Sequence, residues 1–252
     1  MHVRSTTLAT AVLLCLAAFP ARADEVRLFA AGAVQAAVRQ LDASFQAQSG
    51  HTLNAEFDTV GALRDRVLAG ARADVVILSE AGMAALETAA KIDSKSVVGL
   101  GNTAVALAVR KGALLPDISS AEALRRSLLA AASVAHADPA RGATAGAHFA
   151  RVLDRLGIAG EMGPRVTVLP FGGDVIKAVA EGRFEIGVSQ SSEILTHADV
   201  VLAGRLPAPY DHHTRYVAAK AAGAGPGADA FLAVLQGGTG RAALAAIGFT
   251  EP

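Results

Sequence analysis

The chain contains no tryptophan, two tyrosines and a single cysteine, and its 23 basic side chains are matched by 23 acidic ones. Each shortage excludes something. Without indoles, sugar recognition by stacked tryptophans is ruled out. One cysteine builds neither an internal disulfide framework nor a cysteine-based zinc site. Zero formal net charge with 4% aromatic residues lacks the basic excess of a general nucleic-acid binder, so no nucleic-acid partner is expected. There is no HExxH, no P-loop and no GxSxG, and the glycines do not space as a dinucleotide fingerprint. No metal and no cofactor is expected.

What is present is an apolar chain of ordinary domain size. Its 252 residues are 52% hydrophobic and 18% charged, too apolar for disorder and long enough for one or two domains. The start is basic at Arg4, apolar over residues 6–19, and small around Ala21-Arg22-Ala23. This order reads as a cleavable secretory signal peptide over residues 1–23. The apolar run falls short of the roughly 18 residues a membrane anchor needs. Cys15 follows Leu14 inside that run, where a lipoprotein site would want a small residue, so lipidation is not expected. Cleavage after Ala23 removes Arg4, Cys15 and Arg22. The remaining chain is thiol-free, which suits an oxidising compartment. It has no long apolar span, so no membrane insertion is expected once the signal is gone.

The remainder alternates short β-type runs with helical stretches. Residues 26–30, 52–57 and 74–78 read as strands, and 34–47, 61–69 and 81–90 as helices. Strands joined by helical crossovers mean a mostly parallel sheet. The apolar strand 102–110 breaks this rhythm and is expected to leave the first lobe. A second α/β set follows, with strands at 133–137, 166–169 and 184–189 and helices at 145–156 and 175–181. Residues 213–219 alternate again, and 228–235 with 239–246 close the chain as helices. The expected lobes are residues 24–101 with 205–252, and residues 102–204. Two such lobes in an exported chain suggest a hinged clamp. Ligands of open α/β sheets sit beyond the carboxyl ends of the strands. Several of those ends are small, glycine-containing and immediately precede a helix, whose free N–H groups favour anions.

Leu28-Phe29-Ala30-Ala31-Gly32-Ala33-Val34, Gly101-Asn102-Thr103 opening an apolar strand, Asp138-Pro139 leading to Ala145-Gly146, and the closing Ile247-Gly248-Phe249 resemble the periplasmic molybdate-binding protein family over nearly the whole mature chain. The resemblance implies a type II periplasmic binding protein fold: α/β, two lobes, two crossing strands and a cleft between them. It also implies a periplasmic location, a monomer, a small anionic ligand and an ABC permease as partner. That family holds a tetrahedral oxyanion with serines from its first two loops and a tyrosine from the second lobe. By alignment these positions fall at Ala33, Val60 and Gln190. A buried oxyanion deprived of such donors loses about 1.5–3 kcal/mol for each bond, which disfavours molybdate and tungstate. The longer loop 138–146 with Arg141, the turn Phe171-Gly172-Gly173-Asp174 and the segment 186–195 resemble a divergent branch that includes the periplasmic aconitate isomerases. The expected function is capture of a di- or tricarboxylate for ABC-type uptake, with cis/trans isomerisation of aconitate in the same cleft as the alternative.

The residues carry specific expectations. Arg141 offers a planar guanidinium to a carboxylate. Arg64, early in a helix, opposes the macrodipole, so either a ligand carboxylate or a partner such as Asp58 or Asp65 balances it. Thr59, Thr144, Ser189, Gln190 and Ser191 offer neutral donors, although serine and threonine also cap helices. Gly32, Gly61, Gly146, Gly172 and Gly173, beside Ala33 and Val60, allow backbone amides close to a ligand. Isomerisation needs a positioned base. The catalytic candidates are His148, Lys177, Asp174 and Glu193, with Asp58 and Glu80 also at strand ends; Asp58 and Asp174 serve equally well as helix caps. His212 and His213 are adjacent on a strand and point to opposite faces, so they make a poor metal pair.

Overall fold

The computed structural model describes residues 24–251, so the expected signal peptide lies outside the described residues. In chain order the elements are β1 (Glu25–Ala31), α1 (Gln35–Ser49), β2 (Thr52–Asp58), α2 (Val60–Leu68), β3 (Val75–Ser79), α3 (Glu80–Thr88) and β4 (Val98–Arg110). Then come α4 (Ala121–Ala130), β5 (Val134–Ala137), α5 (Thr144–Arg155), α6 (Ala159–Met162), β6 (Val166–Leu169), α7 (Gly172–Ala180), β7 (Ile186–Gln190) and α8 (Ser191–Leu195). The chain closes with β8 (Val200–Arg205), β9 (His213–Lys220), α9 (Pro226–Gln236) and α10 (Gly238–Ala246).

The strands follow the order β2-β1-β3-β9-β4-β7-β5-β6, with β8 added to β4. β1 pairs in parallel with β2 and β3, and β5 in parallel with β6 and β7. These are the two α/β sets the crossovers call for. β3 is buried along its whole length, as a strand covered by helices on both faces must be. β2, at the edge, alternates exposed and half-buried residues. Thr59, Ser79 and Ser120 cap α2, α3 and α4 by accepting a backbone N–H from the first turn, each cap contributing about 1 kcal/mol.

The 13-residue β4 belongs to both sets. Its first part, through Ala104, pairs antiparallel with β9. From Val105 onward it pairs with β7 on one side and with β8 on the other. The hydrophobic core divides at the same place. One cluster holds Leu28, Leu41, Phe45, Ile77 and Phe231. Another holds Val105, Leu107, Leu124, Phe149 and Val188. The molecule is two-lobed, and β4 crosses from one lobe to the other.

β4 begins at Val98, earlier than the expected 102, because its ladder continues through a register shift between Gly99 and Gly101. Four elements go beyond the expected pattern: α4, α6, α8 and β8. α6 and α8 are four and five residues long, too short to show a helical period. β8 carries Gly204 at positive φ, which masks a strand signature. α4 does bury Ala123, Leu124 and Leu128 at helical spacing.

Gly146 sets how closely α5 docks on the end of β5. A Cβ there would collide with the Ala137 carbonyl and reach 3.2 Å from Nδ1 of His136. Gly160 in α6 has nothing within 4 Å of the same position. Gly146→Ala is therefore expected to lower the urea midpoint, whereas Gly160→Ala holds it or raises it, adding up to about 1 kcal/mol of stability through helix propensity. Equal effects of the two variants in equilibrium unfolding would contradict this docking.

Candidate functional site

The strand ends of the two lobes meet at one cleft. From the first lobe come the 3₁₀ turn Gly32–Val34 after β1, the N-cap Thr59 of α2, and Tyr216 on β9. From the second come Ala143, Thr144 and Ala145 opening α5, Phe171 and Gly172 opening α7, and Ser189, Gln190 and Glu193 around the end of β7. The N-termini of α2, α5 and α7 all border the cleft. Each contributes free backbone N–H groups and a partial positive charge, worth up to about 2 kcal/mol toward a partly buried anion. The cavity is about 30 Å³, room for a water molecule and far below the ~300 Å³ of an ordinary ligand pocket. Admission of an organic ligand requires the lobes to part.

A latch holds the mouth shut. Nη2 of Arg141 lies 2.8 Å from each carboxylate oxygen of Asp58 across the cleft. Oγ1 of Thr59 donates to the Arg141 carbonyl at 2.5 Å, and the Gly61 N–H donates to the Gly142 carbonyl at 3.3 Å. Gly142 is in the left-handed region at φ 71°, and a Cβ on Gly61 would sit 2.7 Å from Cα of Gly142. The two glycines let the backbones touch. Arg141, expected to hold a ligand carboxylate, is thus paired with a protein carboxylate at the rim. The partly exposed pair contributes roughly 0–1 kcal/mol, so it biases closure without locking it.

On the cleft wall, Nε2 of Gln190 donates to Oγ1 of Thr144 at 2.8 Å and to Oγ1 of Thr214 at 2.9 Å. Its Oε1 is buried with no partner. Because both threonine hydroxyls can also donate, the amide can turn over and present its N–H₂ to an acceptor. Thr144 has no side-chain cap bond at the head of α5; its hydroxyl serves Gln190 and lies 3.4 Å from the Tyr216 hydroxyl. Burial raises the Tyr216 pKa far above neutral, so this phenol keeps its proton and acts as a neutral donor.

Glu193 is the acid of the cleft, a half-buried residue whose carboxyl is desolvated. Its Oε2 accepts the Ser189 hydroxyl at 2.5 Å and the Gln190 N–H at 3.4 Å. Burial pushes its carboxyl above the ordinary range, and these two hydrogen bonds offset that only in part. The other candidate bases stand elsewhere. Lys177 is exposed, its Nζ 4.0 Å from Glu181. Asp174 sits in the first turn of α7 outside the cleft lining, and the N-cap there is Phe171 rather than the aspartate. Nε2 of His148 donates to the Tyr210 carbonyl at 2.7 Å, and its ring stacks on His212 at 4.5 Å. Glu80 faces Arg215 at 3.6 Å. Asp58 lines the cleft but is neutralised by Arg141, and the N-cap of α2 is Thr59.

Of the expected ligand contacts, Gly32, Ala33, Thr59, Val60, Thr144, Gly172, Ser189 and Gln190 line the cleft. Arg64 does not; its guanidinium bonds Asp65 at 2.7 Å. Gly61 belongs to the latch, and Gly146 to the docking of α5. Gly173 packs beneath the Phe171 ring. Ser191 bonds Thr103 at 2.9 Å and the Ala104 N–H at 3.2 Å, tying α8 to the crossing strand. Tyr216, Phe171 and Ala143 line the cleft without having been expected there. The alternation of β9 was the available signal for Tyr216: it marks an inward face, though not one that reaches the other lobe.

The bacterial extracellular solute-binding protein family matches residues 26–250, and the chain belongs to it. The chain is 28% identical over 226 residues to an aconitate isomerase of a Pseudomonas species, covering 86% of this chain and 84% of that protein. Among solved structures, the periplasmic molybdate-binding protein of Azotobacter vinelandii superposes with a TM-score of 0.76 at 19% identity, over 90% of this chain and 99% of that one. A sulfate-binding protein of Mycobacterium tuberculosis gives 0.69 at 19% identity, over 90% and 86%. Among the described residues, no helix is long and apolar enough to cross a membrane.

The latch can be tested without a ligand. Gly61→Ala places a methyl group against the Arg141–Gly142 backbone and is expected to enlarge the radius of gyration in small-angle scattering while leaving the unfolding midpoint nearly unchanged. An unaltered scattering curve would mean that the mouth does not depend on this contact.

Proposed function

We propose that the protein captures a small organic anion, a di- or tricarboxylate, between its lobes in the periplasm and delivers it to an ABC permease. The observation that carries this reading is the convergence of three helix N-termini on a cleft whose free side-chain donors, Thr144, Gln190 and Tyr216, are neutral. Backbone dipoles supply the attraction, and hydroxyls and an amide supply the shape. Ala33 and Val60, where the resembling molybdate receptors carry serines, leave room for carbon where a tetrahedral oxyanion would want donors. The likeness to molybdate- and sulfate-binding proteins supports an anion. The relative that acts on aconitate supports a carboxylate. The residues ahead of Asp24 fit an export signal, and family membership supports the transporter.

A second reading is favoured by that same relative together with Glu193. In the isomerase reading, a base removes a proton from the methylene carbon of aconitate. The electron pair moves through the allylic system, stabilised by the adjoining carboxylate as an enolate-like charge. A proton then returns to the former vinyl carbon, giving the same connectivity with the opposite geometry. No nucleophile, metal or redox partner is needed. Of the four catalytic candidates, Glu193 is the one on the cleft, and its raised pKa makes it a stronger base than an ordinary carboxylate.

Proton NMR of trans-aconitate in deuterated buffer separates the readings. A receptor broadens or shifts the ligand signals with no conversion. An isomerase produces the cis isomer and carries deuterium into the allylic carbon. If neither occurs and molybdate protects the protein from thermal unfolding, both carboxylate readings fail. In either carboxylate reading, Gln190→Ala is expected to weaken tricarboxylate binding about 10- to 100-fold, as the loss of a charge-assisted hydrogen bond of about 1.5–3 kcal/mol requires. Unchanged affinity in calorimetry would take Gln190 out of the site.

A further inference from the structure

We propose that the cleft takes its anion together with a proton: Glu193 must be uncharged when the anion is bound, and its neutral carboxyl donates a hydrogen bond to the ligand. This rests on the reading of the cleft as an anion site and adds the condition under which that site works.

The geometry leaves Glu193 without a counter-charge. Among the described residues, no lysine, arginine or histidine nitrogen lies within 4.0 Å of its carboxyl. The Arg141 guanidinium at the mouth is committed to Asp58. The surroundings of Glu193 are tight as well as uncharged. A Cβ on Gly32 would come within 2.8 Å of Oε1, and one on Gly172 would collide with both carboxyl oxygens and the Ser189 hydroxyl. The carboxyl therefore fills the space between the strand end of one lobe and the helix start of the other. Its two oxygens are not equivalent. Oε2 accepts both hydrogen bonds, while Oε1 accepts none among the described residues and lies between Gly32 and Gly172. A proton on Oε1 gives the cleft one more donor.

The groups around Glu193 reinforce this. Tyr216 on β9 is the titratable side chain packed toward it, and burial keeps that phenol neutral. β7 contributes Ser189, the turn after β1 contributes Gly32, and the start of α7 contributes Gly172, while Asp174 stays outside the lining. Asp58 at the mouth carries its own cation. An ionised Glu193 would add an uncompensated negative charge beside the incoming anion, so binding and protonation favour one another.

The test uses propane-1,2,3-tricarboxylate, which lacks the double bond and cannot isomerise. Calorimetric titration from pH 6.5 to 8.5, in two buffers of different ionisation heat, is run on the parent protein and on Glu193→Gln. The parent is expected to lose affinity as pH rises, by up to tenfold per unit above the Glu193 pKa, with uptake of up to one proton per ligand. Glu193→Gln keeps a neutral donor and is expected to bind tightly across the range with a flat profile. The ligand's own titration is common to both proteins. Ser189→Ala removes a bond that favours the charged form, so the fall in affinity moves to higher pH. Parallel profiles for parent and Glu193→Gln overturn the coupling alone; no binding by either protein overturns the anion reading and the coupling with it. Urea unfolding without ligand gives an independent readout. A raised folded pKa contributes stability that is full below the ordinary glutamate value and is lost as pH rises through the folded value. The parent is therefore expected to lose stability relative to Glu193→Gln as pH rises, and parallel curves overturn the proposal.

Discussion

β4 is the constraint on which the rest of the architecture depends. A strand can belong to two sheets only if it outruns both, and its 13 residues suffice. The switch between Ala104, paired with His213, and Val105, paired with Gln190, fixes where one lobe ends and the other begins. The same register brings β9, with Tyr216, and β7, with Gln190, to opposite edges of one strand. The cleft walls are therefore connected through a ladder of backbone hydrogen bonds. Buried polar contacts strengthen the junction: Ser191 bonds both the Thr103 hydroxyl and the Ala104 N–H. A ligand that moves Gln190 acts directly on the residue paired with Val105.

The mouth is built differently. Its contacts, an exposed ion pair, one hydroxyl on a carbonyl and one long backbone bond, are individually weak. Such an edge opens readily, whereas the crossing strand is buried from Thr103 through Val109. The lobes are joined through a buried, ladder-paired strand and touch at the lip through a few weak contacts. With about 30 Å³ inside, closure without ligand leaves almost no void. A ligand must therefore replace the lost contacts of the latch with its own to return the molecule to a closed state.

Much of the fold was legible because parallel α/β units write themselves twice, as buried β runs and as helical periods between them. Segments too short for a period, such as α8, or broken by glycine, such as β8, were not. The candidate site was legible by position more than by chemistry. Strand ends located Gly32, Thr59, Thr144, Gly172 and Gln190 at the cleft, but charge misdirected the reading. Arg141, expected to hold a ligand carboxylate, pairs with Asp58 from 83 positions away, whereas Arg64 pairs with Asp65, one of the partners its place in the helix pointed to. Pairing across a cleft is a tertiary fact that spacing along the chain does not encode. Glu193 showed the reverse: one of several acids in the sequence, it is set apart by burial.

That burial has opposite consequences for holding an anion and for transforming one. An anion is held best while Glu193 keeps its proton. Abstraction of an allylic proton requires Glu193 to have lost it. Both demands meet in a group whose pKa is raised by burial and tempered by the Ser189 hydroxyl and the Gln190 N–H. With no cation beside it, desolvation favours the neutral acid. Burial makes the ionised form harder to populate than in an exposed carboxylate, and more basic once formed. In a receptor this arrangement ties affinity to proton concentration. In an isomerase the deprotonated form is the reactive one, so affinity falls with rising pH as the reactive fraction grows. The two activities thus pull one carboxyl in opposite directions, and the hydrogen bonds from Ser189 and Gln190 set where the balance lies.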